Sequence, residues 1–222
     1  MINSRWDSLY LRNIIQAPLM KIRDYWNKIY AQKNDNEVSW YQSNPETSVA
    51  LVQKYTNNKT GNIIDIGSGN SEFSKSLFAL GYKSLSMLDI SEEAIERSRA
   101  KLMKCRGIHD FYTTNILDFK TSSKYNIWHD RAVFHYLINA DDILKYVSIA
   151  SKAIEKNGYL IISTYSLSEP EKCNGLSVNR YSAKLLSEIF QKNFDLVESF
   201  EENHNTPMNT KQNFVWTVFR TK

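Results

Sequence analysis

The sequence predicts an α/β fold: a doubly wound, seven-stranded, mostly parallel sheet with an antiparallel last strand and helices on both faces. Three observations carry this. From Asn62 onward, short apolar β-branched runs alternate with helical segments, the pattern of repeated βαβ units. The last two runs, "FDLVESFEE" and "NFVWTVFRT", have no helix between them and so form a hairpin at one edge. The first run ends in a glycine-bearing turn, "DIGSGNSEF", at the place where open parallel sheets bind their ligands.

Each element follows from local chemistry. "NIIDI" is the first strand. "SEFSKSLFALG" is a helix with Phe73, Leu77 and Leu80 on one face and Gly81 as its stop. "SLSMLDI" is the second strand, and Ser91 caps a helix whose first-turn acids, Glu92 and Glu93, suit the helix dipole. "HDFYTTNI" and "YNIWHD" are the third and fourth strands. "ADDILKYVSIASKAIEKNG" is a helix closed by Gly158, "YLIISTYS" the fifth strand and "SAKLLSEIFQKN" a further helix. Ahead of Asn62, helices over roughly 18–33 and 45–55 are expected to pack over the carboxyl end of the sheet. Trp6, Leu9, Tyr10 and Ile14 share a helical spacing near the start, with Arg5 and Arg12 elsewhere on that helix, which suits packing on the domain, a lid or a dimer contact.

Bulk properties exclude several classes. A net charge of +4, with acids interspersed among bases, gives no basic arm, so no nucleic-acid partner is expected. No apolar run reaches the roughly 18 residues of a membrane span. The first twenty residues carry no secretory signal, so a cytoplasmic location is expected, with Cys105 and Cys173 as reduced thiols. His129 and His135 lack the H-E-x-x-H spacing of a helical zinc site, and the cysteines form no C-x-x-C pair, so no metal is expected.

In the glycine turn, Gly67 and Gly69 permit a tight bend and close backbone approach to a ligand. Asp89 ends the second strand, where a carboxylate can accept both hydroxyls of a ribose. A dinucleotide site wants G-x-G-x-x-G, but the sixth position is Glu72, which argues against a nicotinamide-dependent oxidoreductase. Asp65-x-Gly67-x-Gly69 instead matches D/E-x-G-x-G, the first motif of class I, Rossmann-like S-adenosylmethionine-dependent methyltransferases, and the chain resembles that family. The likeness runs from about Asp24 onward and includes Asp89, "TNILDF", "WHD" and the terminal strand pair. Ser71 and Asn115 depart from it, standing where many members have a glycine and an aspartate. The blocks "VSWYQ", "WHDRAVFHYL", "EKCNGL" with Arg180-Tyr181, and Thr206–Phe214 resemble small bacterial methyltransferases of unassigned substrate. A weaker likeness is to class I protein-lysine methyltransferases.

The resemblance implies S-adenosylmethionine as cofactor and assigns roles. Asp65 orders the loop near the cofactor's amino end. The Gly67-Ser68-Gly69 backbone approaches the methionine part and ribose, and Asp89 holds the ribose hydroxyls. Ile90 packs on the adenine, and Asn115 and Ile116 bind its edge. His129 and Asp130, placed just after the fourth strand, lie beside the sulfonium and serve as the catalytic pair where an acceptor needs deprotonation. From their positions, Trp40 and Tyr41 are candidates to roof the cofactor. Arg131, His135, Arg180 and Tyr181 are candidates for the acceptor wall, and Cys173 is expected to be buried and inert. The division is then an extension, 1–22, and one domain, 23–222: lid helices (23–60), cofactor core (61–166) and substrate-side segment (167–222). The acceptor is a small molecule or a protein side chain, with protein lysine as an alternative. A non-catalytic cofactor-binding module is the alternative from another class.

Overall fold

The computed structural model of the chain describes residues 21–56, 59–105 and 107–222. The expected 1–22 stripe of Trp6, Leu9, Tyr10 and Ile14 lies outside them. Helix α1 covers 21–32, and α2 (Glu46–Tyr55) follows a short turn. Then β1 (Ile63–Ile66), α3 (Phe73–Ala79), β2 (Ser84–Asp89), α4 (Glu92–Leu102), β3 (Ile108–Thr113), β4 (Tyr125–Arg131), α5 (Ala140–Ala153) and β5 (Ile154–Tyr165) alternate as the sequence predicts. A two-stranded ribbon, β6 (Lys172–Cys173) and β7 (Leu176–Ser177), precedes α6 (Ala183–Phe190), β8 (Phe194–Asn205) and β9 (Lys211–Thr221).

The main sheet has seven strands in the order β3-β2-β1-β4-β5-β9-β8. All neighbours are parallel except those of β9, which runs antiparallel to β5 and β8. The chain winds outward from β1 through β2 to β3, then returns to β4 on the other side of β1. The carboxyl ends of β1 and β4 therefore diverge into a crevice, the switch point where such sheets take ligands.

Strand alternation divides the core into two layers. Ile64, Trp128, Leu160 and Phe219 face α5 and α6, packing on Tyr146, Ala150, Leu186 and Phe190. Ile63, Ile127, Ile161 and Trp216 face the other way, onto Leu51, Val52, Phe73, Leu77 and Ile95 of α2, α3 and α4. Full burial of a side chain of this size contributes about 1.5–3 kcal/mol. The predicted caps hold: the Ser91 hydroxyl accepts from the Ala94 amide at 3.2 Å, and the chain leaves α3 through Gly81.

One boundary is corrected. Gly158 does not close α5, which ends at Ala153. Ile154 is buried and pairs with Tyr125 in the sheet, so its β-branched side chain draws the chain out of the helix early. The register then slips and resumes at Ile127 with Tyr159, the chain turning at Asn157 with a φ of 64°. Gly158 lies inside β5, at a point where a Cβ would fall 2.6 Å from the Ile154 side chain.

Candidate functional site

A cavity of about 550 Å³ opens at the carboxyl ends of β1, β2 and β4, within the range of pockets that engulf a drug-sized ligand. Its floor is the turn after β1. Gly67 and Gly69 have φ of 61° and 53°, the left-handed region. A Cβ on Gly67 would meet Val133 Cγ2 at 2.0 Å, and one on Gly69 would meet the Tyr30 hydroxyl at 2.4 Å. The turn is a cradle that only glycines can form.

Asp89 fixes this cradle to the end of β2. Its Oδ2 accepts from the Gly69 amide at 2.9 Å and its Oδ1 from the Ser91 amide at 2.8 Å. Burial pushes its carboxyl up to about 6, against the backbone amides of Ser91, Gly69 and Ile90, which favour the ionised form. Asp89 lines the cavity, and a carboxylate has lone-pair capacity beyond these amides for ligand hydroxyls. Ile90, Asn115 and Ile116 line the cavity beside it. Asn115 spends one lone pair of its Oδ1 on the Leu117 amide at 2.8 Å, which shapes the turn after β3 and leaves a second. Glu72, at the start of α3, pairs with Lys101 at 2.7 Å and Lys75 at 3.2 Å.

β4 presents its polar residues to opposite sides. His129 pairs in register with Asp65, and its Nδ1 lies 2.7 Å from Asp65 Oδ1. A carboxylate only accepts, so Nδ1 carries the proton. Nε2 lies 3.0 Å from the Ser48 hydroxyl of α2, and the ring stacks on Phe73 at 4.2 Å. His129 lines the cavity, yet both its nitrogens are spoken for. Asp130 points the other way and lies outside the cavity lining. It is fully buried, and its carboxylate accepts from the Val133 amide, the Phe134 amide and the Tyr146 hydroxyl at 3.0, 3.2 and 2.6 Å. The expectation that Asp130 is a catalytic pocket carboxylate is therefore corrected: it ties the turn after β4 to α5.

The other side of the cavity is aromatic. Trp40 packs edge-on against Trp26 at 5.7 Å and Tyr30 at 6.1 Å, and Trp26 packs on Tyr136 at 5.5 Å. This roof is tied down where the Tyr25 hydroxyl donates to the Asn174 carbonyl in the β6–β7 turn. Cys173, Asn174, Gln212 and Phe214 close the far wall. Burial raises the Cys173 thiol, which donates to the Tyr165 hydroxyl at 3.1 Å, in line with the expected inert cysteine.

Of the residues predicted from sequence, Asp65, Gly67, Ser68, Gly69, Asp89, Ile90, Asn115, Ile116, His129, Trp40 and Arg131 share this cavity. Three acceptor-side candidates do not. His135 is buried with Nδ1 accepting from the Tyr165 amide at 3.2 Å, and burial next to Arg131 pushes its pKa down to about 3. Arg180 pairs with Glu171 at 2.8 Å and donates to the Leu167 and Glu169 carbonyls, clamping the β5–β6 connection. Tyr181 is buried against Phe134. Trp26, Tyr30, Tyr136, Gln212 and Phe214 were not foreseen. The i, i+4 spacing of Trp26 and Tyr30 on α1 was the available signal for the roof. Among the described residues, no cluster of three or more His, Cys, Asp or Glu could hold a metal, and no helix is long and apolar enough to cross a membrane.

A seven-stranded sheet of this order, with a positive-φ glycine cradle after β1 and a carboxylate at the end of β2, defines the fold of class I S-adenosylmethionine-dependent methyltransferases. The sequence model of the family described as "Methyltransferase domain" matches residues 57–217, and the chain belongs to that family. Among solved structures, the N-methyltransferase NodS of Bradyrhizobium japonicum in complex with S-adenosylhomocysteine is similar, with a TM-score of 0.71 over 90% of this chain and 97% of that one at 17% identity. Magnesium protoporphyrin IX methyltransferase of Synechocystis gives a TM-score of 0.67 over 92% and 99% at 16% identity. Among curated proteins, eEF1A lysine and N-terminal methyltransferase of Mus musculus is 35% identical over 78 residues, 35% of this chain and 11% of that protein. The chain thus matches about a tenth of that relative's length. EEF1A lysine methyltransferase 2 of Homo sapiens is 22% identical over 70% of this chain and 72% of that protein.

Proposed function

We propose that the cavity binds S-adenosylmethionine and that the chain, a single domain over 23–222, transfers its methyl group to a small-molecule or side-chain nucleophile. The observation that carries this is Asp89, a buried carboxylate that is wired to the Gly69 amide and lines the cavity. When bound, the cofactor supplies a methyl group already activated on a sulfonium, so the chain's task is placement. The Gly67–Gly69 backbone admits the ligand closely, Asp89 accepts ribose hydroxyls, and Ile90 and Ile116 flank the adenine, whose edge meets Asn115. Asp65 faces the amino end. His129 holds Asp65 and Ser48 in place as a positioning residue, since neither of its nitrogens is left to take a proton from an acceptor. Trp26, Trp40 and Tyr136 exclude water and offer ring faces to positive charge.

Two acceptor classes follow. The aromatic roof and the Tyr25–Asn174 tie cover one side of the cavity, which favours a small acceptor. A protein lysine is the second reading, favoured by the human relative that covers most of the chain. A cytoplasmic location suits Cys105 and Cys173, which form no disulfide. Turnover with methyl-labelled cofactor over a panel of amine, thiol and carboxylate metabolites and lysine peptides tests the proposal. Label should move in the native protein and not in Asp89→Ala. Cofactor binding with no transfer to any acceptor would leave a non-catalytic binding module instead.

A further inference from the structure

Arg131, the last residue of β4, lines the cavity but has no ion-pair partner among the described residues. Its Nη1 donates to the Trp40 carbonyl at 2.9 Å, and its guanidinium lies over the Phe214 ring at 5.4 Å. Its Nη2 is buried and makes no hydrogen bond. The two acids that act on it are committed elsewhere: Glu202 accepts from the Thr47 hydroxyl and the Trp216 indole, and Asp65 faces His129. His135 and His204, the nearby imidazoles, are both pushed down in pKa by burial and then by this same cation. Burial lowers Arg131 itself to about 10, which leaves it charged at neutral pH.

A half-buried cation whose buried Nη2 donor is idle is costly unless something completes it. The planar fork of a guanidinium fits carboxylate or phosphate oxygens. The Trp40 carbonyl and the Phe214 ring already restrain that fork, so less side-chain freedom remains to be lost on binding. Both lie on the β4–β9 side of the cavity, across the glycine cradle from Asn115 and Ile116 at the proposed adenine end.

We propose that the methyl acceptor is a small molecule carrying a carboxylate or phosphate, and that Arg131 binds this anion while the nucleophile lies against the methyl group. This rests on the methyltransferase reading and supplies the acceptor class it leaves open. It also makes Arg131 a determinant of specificity: an uncharged acceptor of the same shape leaves Nη2 unpaired and is rejected.

The test is binding of malonate and of inorganic phosphate, with malonamide as the neutral control, to the full chain saturated with S-adenosylhomocysteine, read by calorimetry and thermal shift. The native complex is expected to bind at least one anion and not malonamide. Arg131→Gln should weaken that anion about tenfold or more, Arg131→Lys should keep part of the affinity, and S-adenosylhomocysteine affinity should move less than about twofold in both. Anion affinity equal in Arg131→Gln and native protein would overturn the proposal, as would a native complex that takes neither anion. A tenfold loss of S-adenosylhomocysteine affinity in Arg131→Gln would also overturn it, because Arg131 would then hold the cofactor's own carboxylate. If Arg131→Gln fails to fold, the contrast of malonate with malonamide on the native complex and the drop in Arg131→Lys still decide. Failure of the native protein to bind S-adenosylhomocysteine at all would remove the reading beneath the proposal, whereas cofactor binding without anion binding removes the proposal alone.

Discussion

At its β2 end the cavity is made of backbone and side chains from three successive strand ends: Gly67, Ser68 and Gly69 after β1, Asp89 and Ile90 at the end of β2, and Asn115 and Ile116 after β3. At its β9 end it is made of large side chains from distant segments: Trp26 of α1, Trp40 before α2, Arg131 of β4, Cys173 of the ribbon, and Phe214 of β9. The first half depends on strand ends that the sheet itself holds in register. The second depends on side-chain packing and on single ties such as Tyr25 to Asn174. A cofactor half fixed by the sheet and an acceptor half fixed by side chains lets one fold keep its cofactor while its substrate changes.

Perturbing the cofactor half should give the largest effects. Asp89→Ala removes a buried acceptor and unhooks the Gly69 and Ser91 amides, so S-adenosylhomocysteine affinity should fall by about a hundredfold in a calorimetric titration. Gly67→Ala should cost roughly 2 kcal/mol of stability in denaturant unfolding, because its φ is left-handed and its Cβ would overlap Val133. Trimming that neighbour with Val133→Ala should recover part of the loss. The pH dependence comes next. Burial raises the Asp89 carboxyl from the usual carboxylate range to about 6, so cofactor affinity should be flat above that value and fall as pH drops through it, about tenfold per unit once the carboxyl is mostly protonated. The same shift has the opposite sign for the free protein's stability. The native state holds this proton more tightly than the unfolded chain, so the group favours folding below its ordinary pKa, and that benefit fades as pH rises through about 6. Asp89→Asn should flatten both profiles. Asp130→Asn is the contrast that sharpens the comparison. It should cost on the order of 1 kcal/mol of stability by weakening the bonds from Val133, Phe134 and Tyr146, with cofactor affinity unchanged.

The architecture was legible because βαβ alternation and the helixless last pair are periodic features that short-range sequence carries. The cofactor half was legible for a related reason: its residues sit at strand ends, so locating the strands located them. Asp130 shows where this stops. With His129 and Asp130 placed just after the fourth strand, the two fall together beside the site. The strand in fact runs on to Arg131, so alternation sends His129 and Arg131 to the cavity and Trp128 and Asp130 to the opposite layer. Whether these residues lie on the strand or after it decides which of their side chains faces the site. Arg180 and Tyr181 mislead similarly: they follow β5 as an acceptor wall should, but the β6–β7 turn just before them takes that place. The aromatic roof was hardest to see, since nothing local tells Trp26 that its neighbours are Trp40 and Tyr136.

The central claim is that this cradle takes the nucleoside of S-adenosylmethionine and not a dinucleotide. The most direct measurement is a calorimetric titration of the native chain with S-adenosylhomocysteine, repeated with NADH. Saturable single-site binding of S-adenosylhomocysteine, lost in Asp89→Ala, with no heat from NADH, is the predicted result. Binding of NADH with none of S-adenosylhomocysteine would contradict it.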